Sequence, residues 1–199
     1  LKPDLNDRVA DMPVITASRR VSLTSHFEQA YLMRGVRAPS VNRLGYSALK
    51  VLNVILGGGM SSRLFVGLRE EMGLAYEVSS FYPTRIDESQ WVIYLGLPAE
   101  KVKLAERRMN QILQSMADRG PTPGELMQAQ RMIRGSFVME NQPRRRQSWY
   151  AAWWELQGKD PNYGMTFLQS LDAVSRQEVR EMARVLMARP SVTVEVVPK

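Results

Sequence analysis

Arg69 and Tyr76 are the two side chains of this sequence whose types and spacing suit one piece of chemistry. A guanidinium and a phenol both donate hydrogen bonds, and together they match a carbonyl oxygen that turns negative under nucleophilic attack. Gly73 lies between them. If the chain reverses there, Arg69 sits one helical turn before the break, roughly 6 Å back, and Tyr76 three strand residues beyond it, roughly 10 Å on, so both reach one site. The same pattern equally suits a solvated helix arginine beside Glu70 and Glu71, and a strand tyrosine that only packs.

The elements that would hold this pair are written in residues 56–82, LGGGMSSRLFVGLREEMGLAYEVSSFY. Gly57, Gly58 and Gly59 end the preceding helix, and Ser61 or Ser62 caps a new one. Leu64, Phe65, Leu68 and Met72 form its apolar side, and Gly73 stops it. From Leu74 the period becomes two, with Leu74, Tyr76 and Val78 on one face, which predicts a strand over 74–82.

The surrounding chain supplies the rest of a sheet and its cover. Residues 1–25 are polar, hold Pro3 and Pro13, and read as a linker into a single domain over 26–199. Alternation predicts a strand over 26–33, then a turn over 35–40. A helix capped by Ser40 would follow, with Leu44, Ala48, Leu52 and Ile55 on one face. Trp91, Ile93, Leu95 and Leu97 alternate in a second hairpin strand, after which Pro98 opens a helix that Gly120 ends. Thr122 and Glu125, with Pro123 between, make a capping box for a helix towards Asn141, and Ser175 with Glu178 makes another. Between them the sequence predicts a helix over 144–156, with a core stripe of Trp149, Trp153 and Leu156, and a short one over 165–171. A last strand covers 191–198. The order argues an α+β fold, a mixed and mostly antiparallel sheet covered by helices on one face.

Composition narrows the function. There are 199 residues, no Cys and a single His, His26, so the chain cannot build a catalytic zinc site of three protein ligands, and His26 reads as structural. No metal ligand and no cofactor-binding residue is expected in this chain. No apolar run reaches the roughly 18 residues of a membrane span. The net charge of +7 permits acidic peptides, nucleic acid or anionic lipid without choosing among them. Arg144, Arg145 and Arg146 beside Trp149, Tyr150, Trp153 and Trp154 combine cations with stacking rings, the makings of a nucleic-acid surface, but at helical spacing they read as a solvated turn and a core stripe. The glycines before Ser61 lack the lysine of a phosphate loop. The first residue is Leu, which suits a processed product or a piece of a longer chain.

The run ILGGGMSSRLFVGLREEMGLAYEVSS resembles the signature of the non-zinc, C-terminal half of the pitrilysin/insulinase family of zinc metallopeptidases, which includes the mitochondrial processing peptidases and bacterial two-part peptidases. FEQAYL with Gly35, and GPTPGELMQAQRMIRGSF, extend the resemblance over most of the chain. It implies a processing-peptidase-like domain in which Arg69 and Tyr76 hold the substrate carbonyl. Zn, with a His-x-x-Glu-His site, would belong to a partner half, in the same polypeptide or in a separate subunit. Extended peptides would be the substrates, and this chain alone would be inactive. The same fold also serves as a non-catalytic scaffold in subunits of a respiratory complex, which is the alternative. Bacterial cytoplasm and periplasm both remain open.

Overall fold

The alternation of Trp91, Ile93, Leu95 and Leu97 is the spine of the fold. In the computed structural model, which describes residues 15–199, all four are buried in β4 (Ser89–Leu97). Strand β2 (Ala30–Ala38) pairs antiparallel with β4 on one side, Leu32 facing Leu95 and Val36 facing Trp91. On its other side β2 pairs antiparallel with β5 (Ser191–Pro198). The outer strands are β1 (Arg19–Ser25), parallel to β5, and β3 (Glu77–Phe81), antiparallel to β4, giving the order β1-β5-β2-β4-β3. Helices cover the face that carries Leu32, Ile93 and Leu95. Met33, Val92 and Tyr94, which alternate with them, are only half-buried.

That cover is made by α1 (Tyr46–Gly57), α3 (Val102–Arg119) and α7 (Arg176–Ala188) over the sheet, with α4 (Pro123–Glu140), α5 (Arg144–Leu156) and α6 (Tyr163–Asp172) around them. The short α2 (Arg63–Phe65) runs straight into a π-helical turn, Val66–Glu70. Leu49, Leu52, Leu56, Leu64, Leu68, Met109 and Met116 are fully buried between these helices and the sheet. Both predicted capping boxes form: Thr122 with Glu125 heads α4 and Ser175 with Glu178 heads α7. Each satisfies backbone donors that a bare helix end would leave unpaired.

Several expectations are corrected. Of the linker expected over residues 1–25, positions 1–14 lie outside the described residues, but Arg19–Ser25 is a sheet strand, held by the ladder to β5 and by ion pairs from Arg20 to Glu106 (2.8 Å) and Glu195. The turn expected at Gly35 is the middle of β2, because Gly35 faces Val92 in a continuous ladder. Helix α1 starts six residues after Ser40, at a Gly45 whose φ of 89° only glycine adopts freely, and Leu44 is 98% exposed instead of core. In α5 the buried tryptophan is Trp154, while Trp149 and Leu156 are exposed. Trp154 is stacked edge-on against Tyr163 of α6 at 4.8 Å, a neighbour that no helical wheel contains.

The glycine run does more than end a helix. A Cβ at Gly57 would lie 2.5 Å from the Ser80 backbone nitrogen and 2.8 Å from its Cβ, so α1 and β3 touch only because that carbon is missing. Ser80 cannot retreat easily, since its hydroxyl is bonded to Asn53 Oδ1 (2.9 Å) and Asn53 O (3.1 Å). Gly57→Ala is therefore expected to destabilise the fold by about 1–3 kcal/mol, read from the urea midpoint.

Candidate functional site

Arg69 rises from the π turn. Its register is fixed by Glu71 N donating to Val66 O (2.9 Å), one residue wider than an α-helical bond. That extra residue has a consequence for the apolar stripe. Leu64 and Leu68 stay buried, but Met72 is rotated out and exposed, against the expected helical side. The Ser61–Ser62 cap also differs, for Ser62 stands at the N-terminal position of α2 without a side-chain capping bond.

Gly73 makes the reversal with a left-handed φ of 56° and open space where a Cβ would be, so its role is conformational. Gly73 N donates to Arg69 O (3.1 Å), Leu74 N to Leu68 O (2.7 Å), and the Lys101 ammonium to Gly73 O (2.9 Å). Residues 74–76 are not yet strand, a correction to the predicted start. Leu74 and Ala75 are buried, and pairing with β4 begins where Tyr76 N donates to Gly96 O (2.8 Å).

The reversal does bring the two predicted residues together. Arg69 Nη1 donates to the Tyr76 carbonyl oxygen (2.8 Å), and its guanidinium lies 5.0 Å from the Phe65 ring centre, on the turn before it. The contact runs from side chain to backbone, which the spacing argument did not foresee. The Tyr76 ring is 62% exposed and borders a recess of about 470 Å³ lined also by Phe27, Glu28, Gln29 and Tyr31. Phe65 was missed as a neighbour of Arg69, although its position four residues earlier was the available signal.

The residues present do not fit a zinc ion. The chain has one His and no Cys, and among the described residues no three His, Cys, Asp or Glu side chains converge. His26 lies exposed beside Lys199, Nε2 to Nζ 3.3 Å. Among the described helices none is long and apolar enough to cross a membrane.

Behind the π turn lies an ion pair that ties it to α4. Arg63 of α2 donates through Nε and Nη2 to the two oxygens of Glu125 (2.6 and 2.8 Å) and through Nη2 to Gly120 O (3.0 Å). The Arg63 bonds, helped by the Thr122 backbone N–H, pull the Glu125 carboxyl down to about 2 from an ordinary 4.5. A depressed folded-state value means the stabilisation is full above pH 4.5 and is lost as pH falls from about 4.5 towards 2. Wild type is thus expected to lose thermal stability more steeply than Glu125→Gln across that window, with the two converging at its acid end.

The fold is a two-layer α+β domain in which, among the described residues, no group of metal-ligating side chains converges. The description "peptidase M16 inactive domain" matches residues 3–133, and the chain belongs to that family, the C-terminal, non-zinc half of the zinc proteases. An uncharacterised zinc protease of Mycobacterium leprae is 30% identical over 185 residues, 90% of this chain and 39% of the relative. One of Bacillus subtilis is 35% identical over 112 residues, 56% of this chain and 27% of the relative. The chain thus spans about two fifths or less of the length of these relatives. Among solved structures, the peptidase M16 inactive domain from Pseudomonas fluorescens superposes with a TM-score of 0.83 at 21% identity, over 92% of this chain and 44% of that one, a likeness of fold.

Proposed function

We propose that this chain supplies substrate contacts and one side of a peptide chamber to a zinc-bearing half, with Arg69 and Tyr76 donating to the scissile carbonyl oxygen. The observation that carries this is the Arg69 Nη1 to Tyr76 O bond of 2.8 Å. It holds the cation against the Tyr76 backbone at a glycine reversal, and the Tyr76 side chain is exposed there. Donors set in place before reaction cost little reorganisation when charge develops on the oxygen. Zinc and the base that activates water would come from the other half, since this chain has a single His and no Cys to hold the metal. An extended peptide would be the substrate, lying along the recess beside Tyr76. Alone, the chain is expected to be inert. Turnover by the complete peptidase carrying Tyr76→Phe is the test, and unchanged turnover withdraws the role.

A second reading, a scaffold subunit without catalysis, draws support from the same bond. A guanidinium that donates to the Tyr76 carbonyl also serves simply to close the hairpin. The two readings part on whether peptide cleavage appears when a zinc-bearing half is supplied.

A further inference from the structure

A cleft of about 740 Å³ lies behind the π turn, does not border Tyr76, and has a cationic lining. One wall is a single face of α3, where Arg108, Ile112, Ser115 and Arg119 recur at helical spacing. The facing wall is the π turn itself, brought close because Gly67 has no Cβ: one built there would lie 2.8 Å from Ile112 Cδ1. The loop between α3 and α4 closes one end, with Arg176 at the start of α7.

Four arginines, Arg63, Arg108, Arg119 and Arg176, share this cleft with two carboxylates, Glu71 and Glu125. Each carboxylate is already taken, Glu125 by Arg63 and Glu71 by Arg108 (2.9 Å). Arg176 uses its Nε on Pro121 O (2.6 Å), and among the described residues Arg119 has no hydrogen-bonding or ionic partner. The Arg108 Nε is buried and, among the described residues, unpartnered. A surplus of two positive charges therefore surrounds a space large enough for a small molecule. Like charges gathered around one cavity repel unless an anion joins them.

We infer that this cleft between the π turn and α3 is a binding site for a small phosphate-bearing anion, with Arg119 and Arg176, which among the described residues have no carboxylate partner, as its cationic arms. Planar guanidinium groups suit phosphate oxygens, which accept paired N–H bonds. The site is independent of the role of Arg69 and Tyr76, and it stands or falls without peptidase activity.

The test is isothermal titration of the full-length protein with inorganic phosphate and with pyrophosphate at matched ionic strength. Saturable binding near one equivalent is expected, tighter for pyrophosphate. Arg119→Glu should weaken it by about tenfold or more, the scale of one charged hydrogen bond. Arg144→Glu, which removes the same net charge at the exposed start of α5, should leave it unchanged. Three results would overturn the inference: no saturable binding up to roughly ten millimolar, equal weakening by the two variants, or undiminished binding by Arg119→Glu. Arg119 is exposed, so a melting temperature equal to wild type checks that the variant is folded.

Discussion

On the proposed role, replacing Tyr76 by Phe in this chain joined to a zinc-bearing half is expected to lower kcat by on the order of 10² to 10³, with KM much less affected. The substitution removes one hydroxyl and nothing else. The ring is 62% exposed, so no core packing depends on that oxygen, and the Tyr76 backbone keeps both its bond to Gly96 O and its acceptance from Arg69. A fall in kcat can then be assigned to a contact made more strongly in the transition state than with bound substrate. An equal rise in KM with unchanged kcat would point instead to peptide binding along the recess with Phe27 and Tyr31. No change in either would withdraw the role of the Tyr76 hydroxyl.

Leu68→Ala is the substitution expected to cost most in stability, about 2–5 kcal/mol. Leu68 is completely buried and sits inside the π turn, one residue before Arg69. Its carbonyl accepts from Leu74 N across the Gly73 reversal (2.7 Å), so the side chain anchors the segment that carries the candidate site. The turn is also seated against α3 through Gly67 and Ile112, which limits how far it can collapse into the space left behind. For a chain of this size the loss corresponds to a melting temperature lower by roughly 5–15 °C. Met72, which the α-helical period would have placed on the same side, is exposed, and its truncation is expected to stay within about 0.5 kcal/mol. A large loss at Met72 and a small one at Leu68 would refute the π register.

The sequence by itself determined the features whose causes are local. The capping boxes at Thr122 and Ser175, the glycine stop at Gly73, the alternation of β4 and the apolar faces of α3 and α7 all follow from neighbours within a few positions, and all are present. The resemblance carried by residues 55–80 likewise indicated the family, and the absence of cysteine and of a second histidine ruled out a zinc site before any fold was known. Tertiary structure alone decided four other things. Strand β1 exists because β5, more than 160 residues later, offers it a parallel edge, and its exposed residues carry little pattern of burial. Trp154 is the buried tryptophan of α5 because Tyr163 and Phe167 wait on α6. The extra residue of the π turn is seated where Gly67 meets Ile112, and it sets which of Leu68 and Met72 is core. Finally, Arg69 meets the backbone of Tyr76 because a left-handed Gly73 and the register of β4 together aim the Tyr76 carbonyl at it. Local propensity acts over one or two turns, whereas each of these four depends on a surface that arrives from a distant part of the chain.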